Sequence, residues 1–527
     1  MASVEDASAR RADRFLEHAL LANWLVHGLG MLAMAALLLP TMPGGGTADE
    51  IARVALVAEH PWRFRLGWLP WHLCAVADLA LAIGLLRVRW IARWPAVVVL
   101  VLTVLAVVPD QAAQIRWVTE GVRLAGVDHA AYLALERTLF VLTAGIAALL
   151  YTLAGLGWTW CFAQAGTWSK LLTVVSVPLW TTMMIAVTAP LLPEGARPSA
   201  VFVSVANAIG FTLLQVWLAL VTEAVLRRAR PIEAYGRLAL WRHPGDGLIP
   251  RALDVLANSR LFAALLEPLP EGELRSDIED VVYVNYVVPA EVVAPLVPVG
   301  LELQRLGPGG KYALFTFLTF RHGAFGFQFL GPLRRLLPSP VQTNWRIHVR
   351  DEQSSHTGIY FLTNAISSAP HALLARLFTE GMPMHVFQRG SVVRAQTGKL
   401  LVQLEPGGGS APDAHLDLEP CQTPDLHGAF QECFSDFRAF LAYCVPQDRA
   451  MSSQPLRGRI SRQEISLGIA LEDCEPLSGT VVSRAARLLA GDAEPLCFRV
   501  ANVQFRFLGE HHDPRISSAP FVAPGKC

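Results

Sequence analysis

Residues 341–350 read VQTNWRIHVR, and the positions able to do chemistry alternate: Gln342, Asn344, Arg346 and His348 are hydrogen-bonding groups, whereas Val341, Trp345, Ile347 and Val349 are apolar. In an extended strand successive side chains leave opposite faces, so the polar row occupies one side and the bulky row the other. Such a strand borders either solvent or a polar pocket. Inside a pocket the guanidinium needs a partner, because an isolated buried charge is costly, and its planar fork suits a carboxylate held by two hydrogen bonds. The ligand this chemistry favours is a small organic anion.

Other reactive side chains stand near strand ends. Arg321 and His322 directly follow KYALFTFLTF, and His385 ends the run MPMH. If the strands surround one interior, these residues join Arg346 and His348 there, where a neutral imidazole beside an arginine can serve as general acid or base. Amine chemistry has few candidates, since the only lysines are Lys170, Lys311, Lys399 and Lys526. Lys311 follows GPGG and reads as a surface turn. The same stretch fails as a phosphate loop, because Arg305 stands where the first glycine is required and Tyr312 follows the lysine. No GxSxG elbow occurs. Glu510, His511, His512 and Asp513 are potential metal ligands, but adjacent polar residues near a terminus read more simply as solvated groups, so neither metal nor cofactor is expected.

The elements that must hold these residues are strands. From Asp280 onward, short runs such as VVYVNYVV, TGIYFLTN and KLLVQLEP are separated by Pro, Gly and Ser. Two helical patches, 371–381 and 430–443, interrupt them, and PGGGSAP at 406–412 reads as a hairpin tip. This pattern predicts an α+β domain with an antiparallel barrel or sandwich.

The first 230 residues are of another kind. Hydrophobic residues make up 53% of the chain and charged residues 17%, and the excess is concentrated in six apolar stretches: 17–40, 66–87, 94–114, 131–156, 169–192 and 200–226. Each approaches the roughly 20 residues that a helix needs to cross a bilayer. The first is too long for a signal sequence and no clear cleavage site follows, so it is read as retained. Arg10, Arg11, Arg14, Arg87, Arg89, Arg93, Lys170, Arg227, Arg228 and Arg230 fall on one side of this bundle. Arg53, Arg63, Arg65, Arg116, Arg123 and Arg197 fall on the other, a bias that favours cytoplasmic termini. Charges within the spans are functional hints: Asp78 lies deep in the second, while Asp110, Glu136 and Arg137 sit near the outer ends of the third and fourth. An Asp110–Arg137 bridge and a transport role are equally open. His27 and His72 read as packed interior residues. A linker with an amphipathic helix at 251–267 connects the halves, and packing of that helix on the second domain is favoured over the membrane surface. The net charge of zero and the lack of a basic patch give no reason to expect nucleic acid as a partner. Eight scattered cysteines without a CxxC pair suit reduced thiols.

Several segments, VVPAEVVAPLVPVGLELQ, KYALFTFLTFRHG, QTNWRIHVR and GIYFLTN, resemble the YqjF-like bacterial domains, which are related in fold to acetoacetate decarboxylase. The family's Glu-x-Asn-x-Arg-x-Tyr-Val strand places Asn344 and Arg346 on its Asn and Arg. Gln342 replaces its Glu, and His348 its Tyr. The resemblance implies strands facing a closed pocket, and so a lined interior for the polar row. The decarboxylases use a Schiff-base lysine, yet no lysine stands between Lys311 and Lys399 here, so acetoacetate decarboxylation is not expected.

The expected organisation is a six-helix transmembrane bundle at 1–230, a linker at 231–279, an acetoacetate decarboxylase-like antiparallel β barrel at 280–507 and a tail at 508–527. Its location would be the bacterial inner membrane with the barrel cytoplasmic. The expected function is binding of a small, anionic molecule by Gln342, Asn344, Arg346, His348, Arg321, His322 and His385. The alternatives are an enzyme acting on a small carboxylate or carbonyl compound without a Schiff-base lysine, and a transporter with a regulatory soluble domain.

Overall fold

The computed structural model describes residues 2–45, 47, 49–229, 239–269, 273–352, 354, 356–379, 382–445 and 448–511. The chain divides into two compact units, Met1–Ala229 and Arg230–Cys527. His512 and Asp513, two of the four possible metal ligands near the C-terminus, lie outside the described residues, as do 230–238 and 270–272 of the linker.

In the first unit six helices are long and apolar enough to cross a membrane: Ser8–Thr41, Pro61–Arg87, Arg93–Ala125, His129–Gln164, Lys170–Leu191 and Ala200–Ala229. Five of them run past the apolar stretches seen in the sequence, because intrahelical hydrogen bonding continues beyond those stretches, while Lys170–Leu191 lies within its own. The sequence reading left a further helix, Glu50–Glu59, as loop. Its start is fixed by Asp49, whose carboxylate accepts from the Ile51 and Ala52 amides. Widened π turns interrupt three of the spans, at Met34–Leu38, Trp117–Gly121 and Val141–Ala147. The spans meet around Trp217, which contacts the rings of Trp158, Phe162 and Trp180. Gly155 permits that approach, since a Cβ there would collide with the Trp180 ring.

In the second unit the strands are β1 Leu274–Pro289, β2 Leu301–Leu303, β3 Tyr312–Phe327, β4 Val341–Asp351, β5 Thr357–Ile366, β6 His385–Val386, β7 Arg389–Arg394, β8 Leu400–Glu405, β9 Ala414–Pro420, β10 Arg449–Gln454, β11 Arg459–Leu467, β12 Cys474–Val482 and β13 Leu496–His511. Among the described residues these thirteen form one sheet in the order β1-β3-β4-β5-β10-β11-β13-β12-β9-β8-β7. β2 is added to β4, β6 to β5, and β1 also pairs with β13. The pairs are antiparallel except β5–β6 and β5–β10. The 406–412 turn joins β8 to β9, as a hairpin tip should.

The 430–443 patch is not one helix. It divides into Ala429–Cys433 and Phe437–Cys444, because Asp436 leaves the helical path and caps the second, its carboxylate accepting from the Ala439 amide. The helix Leu248–Ala257 packs within this unit: Ala257 shares a core with Trp241, Phe361 and Ala372, and its carbonyl accepts from Arg376.

β4 sits at the centre of this arrangement. Val341, Trp345, Ile347 and Val349 enter a core with Val282, Phe315 and Phe317, where Trp345 stacks on Phe317 at 4.7 Å. The opposite side of the sheet is covered by Phe437–Cys444, whose Phe440 and Cys444 pack with Tyr283, Leu318 and Phe498. Neither face of β4 is left to water.

Candidate functional site

The polar row of β4 is enclosed. Gln342 is 1% exposed, Asn344 7%, Arg346 2% and His348 2%. Register across the sheet shows what stands beside it: Arg346 is opposite Thr316 on β3 and Phe361 on β5, and Thr316 in turn is opposite Asn285 on β1.

At one end of the row the polar groups satisfy each other in a chain. Ser276 Oγ lies 2.8 Å from His322 Nδ1, and His322 Nε2 lies 2.7 Å from Gln342 Oε1. Gln342 Nε2 then donates to Asn344 Oδ1 at 2.8 Å. Since the amide oxygen can only accept, Nε2 of the imidazole carries the proton and Nδ1 accepts from the serine. Burial lowers the His322 pKa to about 4, so the ring is neutral near pH 7. Its ring also stacks on Phe325 at 4.1 Å. His322 is therefore occupied on both nitrogens and on one face.

The other end is built around Arg346. Its guanidinium lies over the Tyr283 ring, 5.4 Å from the centroid, and Tyr283 is stacked on Phe498. Tyr283 and Cys444 are its hydrogen-bonding neighbours. Burial raises the pKa of both, Tyr283 to about 12, and the nearby guanidinium opposes that rise. A second tier fixes these groups: Thr316 Oγ1 donates to Asn285 Oδ1 at 2.8 Å, the Cys444 thiol donates to the same oxygen, and Asn285 Nδ2 donates to the Leu496 carbonyl. His348 stacks on Tyr443 at 4.7 Å; burial and then Arg346 lower its pKa to about 3.

The arrangement lacks an anion. Among the described residues no carboxylate forms an ion pair with Arg346, and its Nε and Nη2 have no hydrogen-bond partner. Those two nitrogens form the side-on edge of the guanidinium. Elsewhere in this unit the same edge of Arg462 holds Asp351 through two bonds of 2.8 and 3.0 Å, which shows the geometry a carboxylate adopts against it.

Two residues expected at the site lie elsewhere. Arg321 points away from His322, as neighbours on a strand do, and is exposed; its Nη2 donates to the Val392 carbonyl beside Glu279 and Asp280. His385 is in register with Ala365, itself opposite Thr343, and so lies on the Trp345 side of the sheet. Its Nδ1 is 2.6 Å from Ser410 Oγ in the 406–412 turn. The sequence reading did not single out Tyr283, Asn285, Thr316, Tyr443 or Cys444. For the first two a signal existed, since VVYVNYVV carries the same alternation, with Tyr283 and Asn285 two residues apart.

The described lysines of this unit are surface groups. Lys311 Nζ donates to Tyr312 Oη, and Lys399 pairs with Asp417 at 2.8 Å. These partners raise both amine pKa values, the reverse of what a nucleophilic amine requires. Among the described residues no cluster of three or more metal-ligating side chains occurs.

In the membrane unit, Asp78 Oδ1 accepts from Asn23 Nδ2 at 2.6 Å, with His27 Nε2 3.9 Å away. Asp110 accepts from Gln111, Gln114 and Tyr151. The bridge from Asp110 to Arg137 is not formed. Glu136, which is buried, makes the ion pair instead, with both oxygens on Arg53 at 2.5 and 2.6 Å, while Arg137 is exposed.

A family model, DUF2071, described as an uncharacterized conserved protein, matches residues 275–404. The matched stretch contains the whole polar row of β4. No curated protein matches. Three solved structures illustrate what the second unit is similar to. The enduracididine biosynthesis enzyme MppR complexed with pyruvate is 16% identical with a TM-score of 0.31, over 46% of this chain and 90% of that one. Acetoacetate decarboxylase from Legionella pneumophila is 11% identical with a TM-score of 0.32, over 46% and 89%. An acetoacetate decarboxylase-like enzyme from Sphingomonas wittichii RW1 is 9% identical with a TM-score of 0.33, over 46% and 93%. Likenesses at these scores carry no weight for the chemistry of the site.

Proposed function

We propose that this is an integral membrane protein whose second unit binds a small organic carboxylate on the side-on edge of Arg346. One observation carries the reading: a guanidinium 2% exposed, whose Nε and Nη2 have no partner and no carboxylate among the described residues. A buried charge left in that state is costly, and an anionic ligand removes the cost. Tyr283 offers a flat surface to the ligand's body, Cys444 and His348 flank it, and the Ser276–His322–Gln342–Asn344 chain stiffens the adjoining wall. A barrel enclosing this site is supported by β1, which pairs with β3 along one edge and with β13 along the other.

Binding without turnover is favoured over catalysis. His322 and His348 hold their protons too weakly to act as bases near neutrality, with pKa values lowered to about 4 and about 3. The described lysines sit outside the buried row, so a Schiff-base decarboxylation is not part of the proposal. A cytoplasmic position for the second unit is supported by the arginine bias, and strengthened by Arg53: one of the few basic residues on the opposite side, it is neutralised by Glu136.

The test is calorimetric titration of the purified full chain with acetoacetate, pyruvate and acetate. At least one should bind, and Arg346→Ala should abolish that binding while the circular dichroism spectrum is retained. Equal binding by the variant, or no binding of any of the three to the unaltered chain, overturns the proposal.

A further inference from the structure

The membrane unit contains a chamber of about 690 Å³, within the size range of small-molecule sites. On the fourth span it runs from Leu133 to Trp158, whereas on the first and last spans it is off-centre. The first span contributes His27 to Leu39 and the last Ala200 to Leu214, while nothing from 8–26 or 215–229 reaches it. On those two spans it lies toward the 42–60 and 192–199 connections. Its inner end is deep, since Asp78 stands about 26 Å along its helix from Pro61.

Charge is unevenly distributed along it. The arginines on the lining, Arg53, Arg137 and Arg197, sit toward the loops, and Arg53 is already paired with Glu136. At the inner end the first four spans supply His27, Cys74 with Asp78, Asp110 with Gln114, and Tyr151; the last two supply only uncharged groups such as Trp180, Met183 and Phe211. Asp78 and Asp110 are near enough to act on each other electrostatically. Two carboxyl groups thus share an apolar end with no lysine or arginine.

The hydrogen bonds there are also short of donors. Each carboxyl receives an amide: Asn23 Nδ2 donates to Asp78 and Gln114 Nε2 to Asp110. In both amides the remaining oxygen is buried and unpartnered. Gln114, 4% exposed, is itself on the chamber wall. Two carboxyl groups and an open amide oxygen form a receptor for N–H groups bearing positive charge. The walls around them are aromatic, with Trp71, Trp158 and Trp180 among the lining residues, and indole rings attract a cation. The indole N–H groups of Trp68 and Trp158 are unpartnered too, and suit an oxygen on the ligand's body. A bare metal ion would leave most of this volume and its rings unused.

We infer that the chamber binds an organic ammonium ion, an amine with an aromatic or apolar body carrying a hydroxyl or carbonyl. The ammonium lies at the Asp78, Asp110 and Gln114 end, and the body fills the tryptophan-lined part.

Three molecules sharing one ring test this: tyramine, its alcohol counterpart tyrosol and its acid counterpart 4-hydroxyphenylacetate. Each is titrated into the full chain in detergent, with binding read calorimetrically. Tyramine should bind, with the alcohol and the acid weaker by about tenfold or more. Asp78→Asn and Gln114→Leu should each weaken tyramine binding about tenfold or more while leaving gel-filtration behaviour unchanged. Tyrosol binding as tightly as tyramine would mean that the carboxyls are protonated and the charge is irrelevant. That result, absence of tyramine binding, or full binding by folded Gln114→Leu would each overturn the inference. Should Asp78→Asn fail to fold, the comparison of ligands on the unaltered chain still decides.

Discussion

Replacing Arg346 by methionine should make the ligand-free protein more stable, which is the opposite of the usual effect of altering a buried residue. Its Nε and Nη2 are buried without partners, and each unmet donor costs about 1–3 kcal/mol. Against that total, contact with the Tyr283 ring returns about 1–2 kcal/mol. Methionine is close in length, apolar, and adaptable enough to fill the space between Tyr283 and Cys444. The expected gain is about 1–4 kcal/mol, in line with replacement of other buried ionic groups by apolar ones. Amide hydrogen exchange of the β4 peptide, read by mass spectrometry on dialysed full chain, measures it without requiring the membrane unit to unfold. Protection should rise about tenfold for every ~1.4 kcal/mol gained. If protection of β4 falls tenfold or more in Arg346→Met, the guanidinium is a structural tie and the vacant edge does not mark a ligand site.

The second unit should lose stability in mild acid. The unfolded imidazoles titrate near 6.5, above the folded values of about 4 for His322 and about 3 for His348, so below pH 6.5 the unfolded chain takes up protons that the folded one refuses. The stabilisation is complete above pH 6.5 and is lost as pH falls toward 4, by up to about 1.4 kcal/mol per pH unit for each ring. Urea midpoints across that window should show the slope, and His348→Phe should flatten it; a midpoint independent of pH between 6.5 and 4 would contradict the burial of both rings. Borohydride reduction in the presence of acetoacetate should trap no adduct, and mass spectrometry finding one on Lys311 or Lys399 would reinstate Schiff-base chemistry. Glu136→Gln strands the Arg53 charge inside the membrane unit and should cost about 3–5 kcal/mol, lowering its thermal midpoint in detergent; an unchanged midpoint would show the pair to be dispensable.

The membrane helices were readable because crossing a bilayer demands an unbroken apolar length, and composition reports that directly. The Glu50–Glu59 helix was not, since it is short and outside the hydrophobic stretches, and only the Asp49 cap marks it. In the second unit the alternation of Gln342, Asn344, Arg346 and His348 was plain. It could not disclose that both faces of β4 are covered, because burial of the polar face depends on Phe437–Cys444, some ninety residues downstream in sequence. The misplacement of Arg321 and His385 has a simpler cause. Closeness to a strand end says nothing about which face a side chain leaves, and register settles that only once strands are paired. Likewise Glu136 and Arg137 are adjacent in sequence but about 100° apart around a helix, so charge type alone could not say which of them turns inward.

The pairing of β1 with β13 bears on how the molecule is made. Asn285 and Leu496 are joined by a hydrogen bond across 211 residues. Contacts so distant along the chain form late, because the intervening loop must close before they contribute anything. Until β13 arrives, one edge of β1 offers its bare peptide groups to any neighbouring strand. Pairing with β13 is what removes that open edge, so the two ends of this domain must meet before β1 is shielded from other strands.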